Sequence, residues 1–186
     1  KKYNVASVRP EIVDPEITKI LLTSTIKFNA KSTTKTATTL KSDVLTTLTN
    51  YNTSTLSQFD GVFRYSKVSS LIDATDNSIL SNITTLKIRK DFTPTLASST
   101  KYNVYFRNAL YNPHSGHNSA AGGILESSGF KVSGDSSTVF YLDDDGAGNI
   151  RRYSFSGSTR VYANETQGTI NYSTGAITIN SLSVLS

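Results

Sequence analysis

The densest set of oxygen ligands in the chain is Asp143-Asp144-Asp145-Gly146-Ala147-Gly148-Asn149, and its natural chemistry would be to hold a hard cation such as calcium. A helix-flanked calcium loop needs oxygen donors at alternating positions and a bidentate Glu at the twelfth. Counting from Asp143, the fifth position is Ala147 and the twelfth is Ser154, so two ligands are missing. The flanks, Phe140–Leu142 and Arg151–Tyr153, have strand character. The favoured reading is therefore a hairpin turn with solvated carboxylates, with Asp143 and Asp145 as the weak candidates for a divalent ion.

His114-Ser115-Gly116-His117 holds the only two His residues, at a spacing seen in zinc sites. Zinc needs three or four ligands, no Cys exists to complete the set, and Glu126 or Asp135 could join only through folding. A loop that hydrogen-bonds to its own backbone or to a neighbouring subunit is favoured for His114 and His117. No metal and no cofactor are assigned. Nucleophilic chemistry finds no support either, because Gly-x-Ser-x-Gly, phosphate-cradling and dinucleotide patterns are all missing. Ser156-Gly157-Ser158 and Ala121-Gly122-Gly123 read as ordinary turns. The chain reads as a non-enzyme.

Composition agrees with a packing role. The absence of Cys excludes disulfides and thiolate metal sites. Ser and Thr number 52, which points to long, well-hydrated and weakly charged surfaces of the kind that suit β proteins. The net charge of +5 sits wholly in residues 1–98, which carry 13 Lys/Arg against 8 Asp/Glu, whereas residues 99–186 carry 6 of each. The lysines are scattered without interleaved aromatics, so an acidic protein face or water is favoured over nucleic acid. No apolar run reaches the length of a bilayer-crossing helix, and no membrane is expected as partner. The chain has no Met and opens Lys1-Lys2-Tyr3, which suggests an excised piece of a longer protein.

Two regions must position these residues. Ile20, Leu22, Ser24, Ile26 and Phe28 alternate against Lys19, Thr23, Thr25 and Lys27, the period of a half-buried strand. Ala37, Leu40, Val44, Leu48 and Tyr51 draw one stripe along a helix over Thr36–Tyr51, capped by Thr hydroxyls. A second helix follows Ser66 as N-cap, carries Val68, Leu71, Ile72 and Thr75 inward, and stops at Asp76-Asn77-Ser78 through a left-handed Asn. The strand period returns at Ile83–Lys90. The two strands should pair with both helices on one face, leaving the other face and the edges to a partner chain.

Beyond a linker at 93–100, strands are predicted at Asn103–Arg107, Ile124–Val132, Val139–Leu142, Ile150–Phe155, Arg160–Ala163, Thr169–Tyr172 and Ala176–Asn180. Residues 112–123 form a surface loop, and Gly175 takes positive φ in the last hairpin. The fold class is α+β: a strand-helix-helix-strand unit over 1–92, then a mostly antiparallel β domain over 101–186.

Val8-Arg9-Pro10-Glu11-Ile12-Val13-Asp14-Pro15-Glu16, Phe63–Val68, Asp73–Ile79 and Ser81-Asn82-Ile83 together resemble the large baseplate wedge protein of T-even-type contractile-tailed phages, in the baseplate J-like family. Tyr105–Asn108, Asn112–Asn118, Tyr141–Asn149 and Gly168–Gly175 are similar to versions from marine cyanophages. The resemblance implies a C-terminal fragment of a longer virion structural subunit, assembled in the host cytoplasm, that pairs with itself, joins other wedge proteins and forms a ring around the tail hub. It carries no interface residue over. A carbohydrate- or receptor-binding β module, suggested by the Tyr-rich second half, is the alternative.

Overall fold

The computed structural model describes residues 17–58 and 60–185, so the motif at 8–16 lies outside the described residues. The chain divides into two compact units, one of Lys19–Arg89 and one that holds Lys90–Ser186.

In the first unit β1 (Lys19–Phe28) is followed by α1 (Ala37–Tyr51), a π-helical turn (Asn52–Leu56), α2 (Tyr65–Asp73) and β2 (Ile79–Arg89). β1 and β2 pair antiparallel from Lys19↔Arg89 to Phe28↔Ile79, with a slip beside Lys27. The predicted alternation in β1 holds: Ile20, Leu22, Ser24, Ile26 and Phe28 are half-buried and their neighbours exposed. Thr36 caps α1 by accepting the Thr39 N–H at 3.2 Å, which satisfies one of the orphan donors of the first turn. Leu40, Val44 and Tyr51 are buried on the α1 stripe, whereas Ala37 is exposed. Val44, Tyr51, Val68, Ile72 and Ile79 form the core, with Leu22 and Ile26 packed against it, so both helices lie on one face of the strand pair.

Three local expectations change. α2 begins at Tyr65 with Arg64 in extended conformation as its N-cap, so Ser66 is a helical residue. The Tyr65 hydroxyl reaches the Thr84 carbonyl at 2.7 Å, and this tie to β2 outweighs the capping preference of Ser. The helix stops at Asp73 with Ala74 still right-handed, and no left-handed Asn is used. Instead the Asp76 carboxylate accepts the Ser78 N–H at 2.9 Å, a tight turn that starts β2 at Ile79, four residues before the predicted Ile83.

The second unit has β3 (Thr100–Tyr105), β4 (Phe130–Val132), β5 (Asp135–Asp144), β6 (Asn149–Ser156), β7 (Thr159–Asn171) and β8 (Ala176–Leu182). Their order is β3-β8-β7-β6-β5-β4, every neighbour antiparallel. The chain bends at Ser181 (φ 45°), one residue before β8 ends, and residues 183–185 bond to β4 and its turn: Ser133 N–H to the Ser183 carbonyl at 3.0 Å, Leu185 N–H to the Lys131 carbonyl at 2.9 Å. The far edge strand is thereby tied to the chain leaving β8, and the sheet wraps round a core of Phe140, Leu142, Ile150, Ile170, Ile177, Ile179 and Leu182. Within the stretch 93–100, Leu96 bridges Val184, and the Ala97 N–H bonds the Val184 carbonyl at 2.7 Å.

The α+β class is as predicted, but the strand list is not. Ile124–Val132 is strand only from Phe130, because the Ile124 and Leu125 N–H groups are spent on a carboxylate. Arg160–Ala163 and Thr169–Tyr172 are one strand, β7, whose register against β6 slips on either side of Arg152. The aspartate hairpin has a shorter loop than expected, since β5 runs through Asp143 and Asp144 and β6 starts at Asn149. Gly175 does take positive φ, 67°.

Candidate functional site

Asp143 and Asp144 are adjacent on β5, so their side chains leave opposite faces of the sheet. Both are buried, 1% and 0% exposed, which overturns the solvated-turn reading for these two residues. The cause is that each meets a complete set of donors. Asp143 Oδ1 accepts Arg151 Nε at 2.9 Å, and its Oδ2 accepts Arg160 Nη1 and the Tyr162 hydroxyl, each at 3.0 Å. Strand register explains the first bond, because Asp143 sits directly opposite Arg151. Arg151 also stacks on the Tyr162 ring, 4.3 Å from its centroid, and donates Nη2 to the Ser119 and Asp144 carbonyls.

Among the described residues no cation reaches the Asp144 oxygens. Its Oδ1 accepts the N–H groups of Ile124 (2.7 Å) and Leu125 (2.6 Å), and its Oδ2 accepts the Tyr172 hydroxyl (2.6 Å) and the Gly146 N–H (3.1 Å). Burial, then the bond to Asp144, pushes the Tyr172 hydroxyl well above the usual phenol range. Gly122 and Gly123, both at positive φ, are more than ordinary turn residues. A Cβ on Gly123 would overlap the Asp144 carboxylate, and one on Gly122 would overlap the Arg160 guanidinium. All four carboxylate oxygens are occupied by protein donors. The pair therefore fastens the irregular segment around 119–125 onto the sheet, and a cation would have to displace those donors to bind.

Asp145 ends the hairpin. It accepts the N–H groups of Ala147 (2.8 Å) and Asn149 (2.9 Å) and the Asn149 side-chain amide (2.6 Å). Partial burial raises its carboxyl, and the Asn149 and Ala147 bonds outweigh that, leaving it below the usual range. His114 is exposed and His117 half-buried, with His117 Nδ1 3.5 Å from His114 Nε2. Among the described residues no three His, Cys, Asp or Glu side chains form a group able to hold a metal. The His pair and the aspartates thus do not converge into one multidentate site. Sequence reasoning missed Arg151, Arg160, Tyr162 and Tyr172. The hairpin register could have paired Arg151 with Asp143, but the donors from 124 and 125 carried no signal.

A more exposed carboxylate sets an acid limit. Asp135 accepts the N–H groups of Thr138 (2.9 Å) and Ser137 (3.1 Å) and the Ser137 hydroxyl, and these bonds, Thr138 first, hold it at about 2. A lowered folded value means stability that is present above the unfolded value, near 3.8, and lost as pH falls toward 2. The unfolding temperature should fall over that window, and less steeply in Asp135→Asn. An unchanged slope in the variant would contradict the assignment.

In the first unit the surface with most to offer a partner is the sheet face away from the helices. It presents Leu21, Thr23, Thr25, Ile83 and Thr85, with Leu21 45% and Ile83 73% exposed. No reactive group lies among them. Residues 18–91 match the family model of the baseplate structural protein gp6, C-terminal domain III. The matched span is the strand-helix-helix-strand unit. No curated protein matches the chain. The family match supports a phage baseplate structural protein, located in the virion tail baseplate and associated with other baseplate proteins. It supports a structural role in place of a catalytic one and does not favour the carbohydrate- or receptor-binding alternative. Among the described residues no helix is long and apolar enough to cross a membrane.

Proposed function

We propose that the chain belongs to the large wedge subunit of a contractile phage tail, of the baseplate J-like type found in cyanophages. It pairs with a second copy and with other wedge proteins to build the ring around the tail hub, after assembly in the host cytoplasm. The observation that carries this reading is the coincidence of the baseplate family match with a unit whose sheet has only two strands and one helix-covered face. Such a sheet offers a partner its strand edges and a face on which Leu21 and Ile83 flank a Thr23–Thr85 pair, with Lys19, Lys27, Lys87 and Arg89 around them. Packings of similar energy on such a face would let a ring change shape when the tail contracts.

Light scattering tests self-association. The purified chain at high concentration is expected to show a mass above that of the 20.2 kDa monomer, and Ile83→Asp to return it to monomer. A strictly monomeric wild-type chain would overturn self-association through this region. Electron micrographs of the full-length protein with its neighbouring gene products should show wedges or rings.

A further inference from the structure

We propose that His114 and His117 form a two-imidazole site for a divalent transition-metal ion of the zinc class, independent of the buried aspartates. The two nitrogens facing each other, His114 Nε2 and His117 Nδ1, are 3.5 Å apart, with ring planes at 87°. Two imidazole nitrogens bound to one tetrahedral zinc lie roughly 3.4 Å apart, given zinc–nitrogen bonds of about 2.1 Å. The pair therefore already has the bite of a chelate, and small ring rotations would aim both lone pairs at one point.

Three features hold that geometry before any ion arrives. His114 Nδ1 is 3.1 Å from the Ser115 carbonyl, so Nδ1 carries the proton and Nε2 keeps its lone pair for a metal. The Tyr111 ring meets the His117 ring edge-on at 5.3 Å and restricts its swing. The backbone between them is anchored: His117 N–H bonds the His114 carbonyl at 3.1 Å, while Gly116 N–H and Asn112 Nδ2 both bond the Gly146 carbonyl, at 2.9 and 3.1 Å. Gly146 fits only because it lacks a Cβ, which would come within 2.6 Å of the His117 backbone. The aspartate hairpin thus acts as the platform for the histidine loop and supplies no ligand to it.

Without metal, His117 Nδ1–H faces His114 Nε2. On binding, His117 moves its proton from Nδ1 to Nε2, and the ion takes the place of the shared hydrogen. Two protein nitrogens fall short of the three or four protein ligands of a catalytic or structural zinc site, so this is a two-point chelate whose remaining positions are filled by water. Imidazole donors select zinc, copper or nickel over calcium and magnesium.

Zinc chloride titrated into the chain at pH 7.5, followed by calorimetry and by the imidazole nitrogen resonances, tests this. One ion per chain is expected, with both His side chains shifting together. Affinity should drop by about tenfold or more in His114→Ala. His114 is exposed, so that variant should retain the wild-type unfolding temperature without metal. Failure of the wild type to bind at millimolar zinc, or binding undiminished in His114→Ala, would overturn the proposal. Calcium binding in preference to zinc would do so too.

Discussion

Asp144→Asn should destabilise the β unit by about 3–5 kcal/mol, because it breaks a fully buried, fully satisfied carboxylate. The carboxylate receives four donors, two at each oxygen. An amide can offer one oxygen only. If that oxygen keeps the Ile124 and Leu125 N–H groups, the new NH2 confronts the Gly146 N–H and Tyr172. Tyr172 can rotate to accept, but a backbone N–H cannot, so Gly146 is left unpaired in the interior. The opposite orientation leaves two backbone N–H groups unpaired and is worse. Tyr172→Phe removes one donor while the other three remain, and should cost about 1–2 kcal/mol. Urea unfolding gives both numbers. Amide exchange at Ile124 and Leu125 should accelerate in Asp144→Asn, since their bonds to Oδ1 lose the ionic component. A loss under about 1 kcal/mol would mean that the segment around 119–125 is held by something other than this carboxylate.

That carboxylate also marks the boundary of what could be read from residue order. Where structure is set by neighbours a few positions apart, the reading carries through. The α1 stripe from Leu40 to Tyr51 and the Thr36 cap are local, and both are seen. The β1 alternation is likewise local, and its two-residue period fixes which face meets the helices. Legibility fails where a distant partner decides. Ser66 has the better capping chemistry, yet Tyr65 is tied to Thr84 across the unit and the helix starts there. Asp143 and Asp144 have the composition of a wet turn, and only the arrival of Arg160, Tyr162 and Tyr172 from β7 and the turn after it makes burial tolerable. Gly122 and Gly123 look like any turn pair until the Arg160 and Asp144 side chains are placed against them. The sheet face of the first unit was legible as uncovered from alternation alone, whereas the bite of the His pair needed coordinates.

Ile72→Ala should cost the strand-helix-helix-strand unit about 2–5 kcal/mol, the usual range for emptying a closed core site. Ile72 is 0% exposed, and the core around it is small: Val44, Tyr51, Val68 and Ile79 are its other buried apolar members. With so few neighbours, and those held by two strands and two short helices, the cavity cannot be refilled by collapse without moving a helix. A unit of about 70 residues has a stability of roughly 4–10 kcal/mol, so this one truncation consumes a large share of it. Ile83→Ala makes the opposite pairing of effects. Its side chain is 73% exposed on the uncovered sheet face, and its loss should change unfolding by no more than about 0.5 kcal/mol. If Ile83 serves a partner, Ile83→Ala lowers the mass seen by light scattering while circular dichroism melts stay unchanged. Ile72→Ala lowers the melt first, and any loss of association follows from unfolding. Equal melting losses in the two variants would mean that Ile83 is covered in solution by part of its own chain, and the face would then be core instead of interface.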